Sequence, residues 1–519
     1  MITINGNNLT IEEVDAVARG GKQVELAPEA YQAIEQSHAW VEDILAAEKP
    51  VYGINTGFGI FSDKKISQED AAKLSRNLIL SHAVATGPNL PMEVVRAAML
   101  IRANTLAKGY SGVRPVVIET LTEMLNKGLT PLIPSQGSLG SSGDLAQLSH
   151  MALVFTTDEA GLENQSGWAE FDGLRLSGKA AMQTAGIPRL ILGGKEGLAV
   201  NNGATFSAAL AALAVYDADI LLQTAEVALA MSLEAMLGVR SAFDPRIHMV
   251  RNHRGQIAVA ERIRQLTKGS TLLDAEGRVQ DAYSLRCAPQ VQGAAVDALR
   301  FIRDRIQREI NAATDNPLIF GPGEAISGGN FHGEPIGMVM DFLKVALTEV
   351  AGISERRTFR LTDGKLNAGL PPMLVDTPEA AGLNSGMMMP QYTAASLVLE
   401  SQTLASPDSV YSLPTSAEQE DHNANAMTAA RHARDIVANT AHVLAVEIYT
   451  AARALDLRLR GMPEGEMGPG VSAAHTKVRK EVPYQAGDAW WGPEIERVKE
   501  IITSGEFIQE VKQFIDVEK

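Results

Sequence analysis

The rhythm of hydrophobic and polar positions changes near residue 200. Before it, Gly and Pro recur every few residues, which predicts short elements joined by turns. Beyond it, long runs contain neither residue. Thr205 to Leu237 is one, Ala294 to Asn316 a second that stops at Pro317, and His422 to Arg460 a third stopped by Gly461. All three are rich in Ala, Leu, Glu and Arg, which favour helix. In "VDALRFIRDRIQREI", Val296, Leu299, Ile302, Ile306 and Ile310 recur at three- and four-residue spacing and predict one buried helix face. The tail "YQAGDAWWGPEIERVKEIITSG" predicts a turn followed by a short amphipathic helix. The fold class that follows is mainly α, a long-helix bundle with a more irregular N-terminal region. The expected division is residues 1–200 and 201–519. Helices of this length leave apolar stripes for other copies to cover.

Composition narrows the class of partner. The 519 residues are 45% hydrophobic, enough for a large core, and carry a formal net charge of -16. An acidic chain without clustered Lys and Arg argues against nucleic acid. One cysteine, Cys287, permits no internal disulfide and fits a reducing compartment. The start, "MITINGNNLTIEEVDAVARG", lacks the basic and apolar regions of a signal peptide. Asp217 and Asp219 interrupt the most apolar long stretch, so no membrane segment is expected. These features predict a cytoplasmic protein.

Candidate chemistry begins at "GSLGSSGDLAQLSH", Gly137 to His150. It lacks the lysine of a phosphate-binding loop and the spacing of a nucleophile elbow. Ser141 with Asp144, ahead of an apolar run, has the pattern of a helix capping box. The same residues permit a second reading. The Gly143 nitrogen can attack the Ser141 carbonyl, and with loss of two waters the Ser142 side chain becomes an exocyclic methylidene. The product is an electrophilic imidazolone, and glycine is required because a Cβ would block closure. Elsewhere, "YGINTGFG" (Tyr52 to Gly59), "NLILSHAVATG" with Ser81 and His82, and "VNNGAT" with Asn201 and Asn202 read as loop, core histidine or helix cap. In "QDAYSLRCAPQVQG", Tyr283 and Arg286 would share a helix face, either as a structural pair or as a base beside a carboxylate anchor. No His, Cys, Asp or Glu set has zinc spacing, and "EDH" (Glu420 to His422) is too short to hold a metal alone.

These segments, in this order and over nearly the whole chain, resemble the aromatic amino-acid ammonia-lyase family, and its histidine-acting members most closely. The hallmark of that family is an Ala-Ser-Gly that cyclises to 4-methylidene-imidazol-5-one (MIO), within GSVGASGDLAPLAH. The stretch at 137–150 is similar to it throughout, and "TDNPL" and "SGGNFHGEP" look like family motifs as well. The resemblance implies a helical homotetramer with each active site assembled from three subunits. It implies an MIO formed from Ser141, Ser142 and Gly143, no metal, and a small amino-acid substrate. The reaction implied is loss of ammonia from L-histidine to give trans-urocanate. By resemblance Tyr283 is the base for the β-proton, Tyr52 a lid tyrosine and Arg286 the carboxylate anchor. Asn202 would stand beside the MIO, with Gln280 and Phe331 in the pocket. Histidine-acting members carry Ser-His where tyrosine and phenylalanine lyases carry His-Leu and Phe-Leu, and glutamate where those have aspartate. Here the residues are Ser81-His82 and Gln419-Glu420. An imidazole leaves two nitrogens to be satisfied, and His82 and Glu420 could satisfy them.

Several positions depart from the family pattern. Ser141 replaces alanine, Glu418 the usual asparagine, Ala282 the usual proline, and Gly333 the usual alanine; "GMMMPQ" at 386–391 differs from the usual apolar segment. The Ser141 side chain takes no part in closure, so cyclisation is expected to survive. The extra carboxylate of Glu418 admits an alternative, a lyase or aminomutase acting on a modified histidine or another aromatic amino acid. A non-catalytic helical scaffold is a third reading, which turnover of any amino acid would dispose of.

Overall fold

The computed structural model describes residues 1–47, 50–57 and 64–515. Nineteen α-helices dominate the described residues, and the strands form five small sheets of at most three strands each. Phe58 and Gly59 of the "YGINTGFG" stretch lie outside the described residues.

The long breaker-free runs are helices, with informative differences at their ends. The first is Thr205–Ala235. By length and composition it could cross a membrane, but 78% of its most apolar window is buried inside the protein, as in a core helix. Its alanines at 208, 209, 211, 212 and 214 are all buried, so it packs on every side rather than along one stripe. The second helix is Ala288–Glu309, starting six residues before the predicted run. Pro289 falls in the first turn, where its missing N–H costs nothing. Gly293 is kept inside because another helix crosses it: a Cβ there would lie 2.4 Å from the Gln256 nitrogen. Leu299, Ile302, Ile306 and Ile310 are buried as the spacing predicts, and Val296 is half-buried. The third helix is Ala426–Gly461. It begins four residues late because Asn423 and Asn425 serve a loop instead, Asn423 accepting from the Leu413 N–H at 2.7 Å and Asn425 donating to the Tyr411 carbonyl at 2.6 Å. The tail helix, Trp491–Thr503, buries Val498, Ile501 and Ile502.

The expected division at residue 200 follows the texture of the sequence, whereas the compact units follow contacts. One unit gathers Met1–Tyr216, Ile302–Asp341 and Pro407–Arg431. The other gathers Asp217–Phe301, Phe342–Ser406 and the chain from His432 onward. In the first unit, helices Ala71–His82, Leu145–Phe155 and Glu196–Asn201 pack on one another. Their ends carry His82, the 141–144 turn and Asn202 into one place. In the second unit, the short helix Tyr283–Arg286 starts after Ala282, whose φ of -64° is one that proline would adopt. Nearby Arg357 and Glu447 form a fully buried ion pair, with Ser232 and Ser354 donating to the same carboxylate at 2.7 and 2.6 Å.

Candidate active site

The floor of the site is a crossing of two backbones at glycine. Gly143 has a φ of +80°, and a Cβ on it would lie 2.0 Å from the Gly203 carbonyl carbon. No side chain fits there. The Asp144 N–H donates to the Gly203 carbonyl at 2.9 Å, and the Gly203 N–H to the Ser142 carbonyl at 3.3 Å. Asn202 Nδ2 donates to the same Ser142 carbonyl at 2.8 Å. Two donors therefore converge on one oxygen.

Asp144 fixes this turn from below, and not as the sequence pattern suggests. It stands at the N-cap of Leu145–Phe155 but makes no side-chain cap bond. Its fully buried carboxylate instead accepts from Ser138 Oγ at 2.8 Å, the Ser207 N–H at 2.8 Å and Ser207 Oγ at 2.9 Å. Burial raises its pKa, and these bonds oppose the rise. Ser141 is not a capping residue either: its Oγ donates to Glu420 Oε2 at 3.0 Å, across 279 positions of sequence. The capping-box reading fails because tertiary partners take both side chains.

Above the floor lies a cavity of about 1290 Å³, lined entirely by the first unit. Its lining includes Tyr52, His82, Ser141, Ser142, Asn202, Phe331, Gln419 and Glu420, eight of the residues predicted from the sequence. Gly143 lies immediately beneath. Gln280, Tyr283 and Arg286 are not among the lining residues and belong to the second unit. There Arg286 lies over the Tyr283 ring, with its guanidinium carbon 4.7 Å from the ring centroid. The Tyr283 side chain is 71% exposed, and Arg286 Nε is buried without a hydrogen-bond partner among the described residues. The predicted shared face of Tyr283 and Arg286 is present.

His82 ends its helix and has Ser81 Oγ 3.0 Å from its Nδ1. Burial lowers its pKa, partly offset by a bond to the Leu78 backbone and by the charge of Glu420. Two further histidines, His332 and His422, line the cavity and stack with centroids 5.8 Å apart and planes 10° from parallel. Sequence reasoning quoted "FHGEP" and "EDH" without joining them, because nothing local links positions ninety apart. The adjoining Glu334 has its pKa raised, chiefly by burial. Among the described residues, no group of three or more His, Cys, Asp or Glu could hold a metal ion.

The residues at 141–143 fit a cyclised triad. Closure needs a glycine nitrogen with no Cβ, and the Gly203 backbone already excludes one. Donors aimed at the Ser142 carbonyl hold that carbonyl in a fixed orientation.

Residues 9–480 match the family model for aromatic amino acid lyases. The chain belongs to the aromatic amino acid lyase family. A histidine ammonia-lyase from Caldanaerobacter subterraneus subsp. tengcongensis is 49% identical over 515 residues, covering 99% of this chain and 98% of that protein. The crystal structure of histidine ammonia-lyase from Trypanosoma cruzi superposes with a TM-score of 0.90 at 35% identity, over 99% of this chain and 95% of that one. Tyrosine aminomutase from Streptomyces globisporus superposes at 0.92, also at 35% identity, over 100% and 99%. As a member of this family the chain is a carbon–nitrogen lyase with a mostly helical fold.

Proposed function

We propose that this chain eliminates ammonia from L-histidine to give trans-urocanate, using an MIO formed from Ser141, Ser142 and Gly143, as a cytoplasmic homotetramer. The observation that carries the reading is that His82, Glu420 and Ser142 line one cavity. A β-C–H is a weak acid and a free amine a poor leaving group. An MIO held at Ser141, Ser142 and Gly143 would supply an electrophilic carbon, which would make the substrate nitrogen a better leaving group. Asn202 and the Gly203 N–H, by donating to the Ser142 carbonyl oxygen, stabilise negative charge on it. The N-terminus of helix Leu145–Phe155, directly after the triad, adds to that stabilisation. Glu420 and His82 give the two imidazole nitrogens a carboxylate and a ring nitrogen as partners.

Tyr283 removes the β-proton and Arg286 grips the carboxylate through its planar fork. Gln280 stands with them, Tyr52 closes over the substrate, and Phe331 and Gln419 complete the pocket wall. In this reading Gln280, Tyr283 and Arg286 reach the cavity from neighbouring copies, which suits an exposed Tyr283 and a guanidinium nitrogen without a partner among the described residues.

A second reading, a lyase or aminomutase for a modified histidine or another aromatic amino acid, draws on Glu418. This exposed carboxylate has a φ of +68° and follows Ala417 of the cavity lining. One screen separates the two: L-histidine, histidine derivatives, tyrosine and phenylalanine, followed by absorbance of the conjugated acrylate. The first reading expects urocanate from L-histidine, with phenylalanine poorer by on the order of 10⁴-fold because it leaves both polar partners unpaired. Preferred turnover of a derivative, or a β-amino acid product, would favour the second.

A further inference from the structure

The departure of this triad from the family's alanine has a structural counterpart. The Ser141 side chain is buried at 7% exposure, and its hydroxyl donates to Glu420 Oε2 at 3.0 Å. Both residues line the cavity with His82. The bonds of its own loop hold the Glu420 backbone, whereas Ser141 holds its carboxylate. The Gln419 N–H donates to the Ser416 carbonyl at 3.1 Å, Thr415 N–H and Oγ1 donate to the Glu420 carbonyl at 2.8 and 3.2 Å, and the Glu420 N–H donates to the Thr415 carbonyl at 3.2 Å. Between them Ser416, Ala417 and Glu418 have φ values of +50°, +52° and +68°, a left-handed run unfavourable for residues with a Cβ.

Ring closure does not remove the tether. The Gly143 nitrogen bonds to the Ser141 carbonyl carbon, whose oxygen leaves as one water with the hydrogens of the Gly143 and Ser142 nitrogens, leaving a double bond from that carbon to the Ser142 nitrogen. The Ser142 hydroxyl leaves with the Ser142 α-hydrogen as the second. Ser141 Oγ belongs to neither, so its hydroxymethyl group remains on the finished ring.

We propose that Ser141 is a positioning residue for substrate recognition, tying Glu420 to the reactive floor so that Oε1 is presented to the imidazole of the substrate. The inference rests on the reading of Glu420 as an imidazole partner. It predicts that the first residue of the triad tunes affinity, although it has no part in making the electrophile.

The test uses the full-length protein carrying Ser142→Ala, which cannot form the methylidene or turn substrate over. Calorimetry with L-histidine should show affinity falling about tenfold on adding Ser141→Ala, the loss expected for one hydrogen bond to a charged group. Ser141→Thr, which keeps the hydroxyl, should stay within about twofold. In a Glu420→Ala background, Ser141→Ala should make no further difference, since the effect runs through that carboxylate. In ring-competent protein, Ser141→Ala should raise KM with kcat little changed, and its intact mass should still lack two waters. Affinity insensitive to Ser141→Ala, or an equal loss with and without Glu420, overturns the inference. No binding of L-histidine to the Ser142→Ala protein would instead sink the functional reading itself.

Discussion

The floor and the wall of the cavity are built by opposite means. The floor is backbone: Gly143 against Gly203, donors on the Ser142 carbonyl, and buried Asp144 held by Ser138 and Ser207. The wall joins His82, at a helix end, to the largely exposed loop 415–422, which has three successive left-handed residues and whose Glu420 carboxylate reaches the floor through one hydroxyl. Close-packed backbone leaves few alternatives, so the floor tolerates almost no change. A loop that presents side chains can exchange them and keep the fold. In the proposed reading the floor sets the reaction type and the wall the choice of substrate.

The largest expected effects fall on the floor. Ser142→Ala should fold normally and lose nearly all turnover, with an intact mass at most one water below that of its sequence. Gly143→Ala should do worse, because its Cβ has no space at 2.0 Å from backbone; thermal unfolding should show a destabilised protein in addition to an open triad. A stable, cyclised Gly143→Ala protein would show the crossing to be looser than described. Next comes Asn202→Ala, which removes one of two donors from the Ser142 carbonyl. It should lower kcat by about 10²-fold with little change in KM, as for other preorganised donors to a developing charge. A change confined to KM would move Asn202 from the floor's chemistry to binding.

The smallest effect concerns pH. Burial lowers the pKa of His82 from its ordinary 6.5, so its proton is taken up only at lower pH. If the neutral ring is the binding form, kcat/KM should hold as pH falls through 6.5 and decline below it. A decline beginning above 6.5, abolished by His82→Gln, would mean that the site stabilises the charged ring.

How much of this could be read from the chain follows the same division. The turn at 137–150 was legible as a contiguous run of small residues ahead of an apolar helix. The long helices were legible from the absence of breakers. Their ends were not, since Pro289 in a first turn and Gly293 at a helix crossing look like breaks until the neighbours are known. The role of Asp144 was misread because a capping box and a buried anchor share one local pattern. The Ser141–Glu420 bond and the His332–His422 stack were invisible, joining positions far apart through the fold alone. Gln280, Tyr283 and Arg286 lie outside the lining of the cavity and in the second unit, which their local motif does not reveal.

The separation of floor from wall is tested most directly by His82→Leu, measured for ring content and for substrate preference together. The intact mass should still lack two waters, while the ratio of kcat/KM for L-histidine over L-phenylalanine should fall by about 10²-fold or more, as expected when a buried polar partner is removed. Loss of the ring in this variant, or an undiminished preference for histidine, would contradict the account.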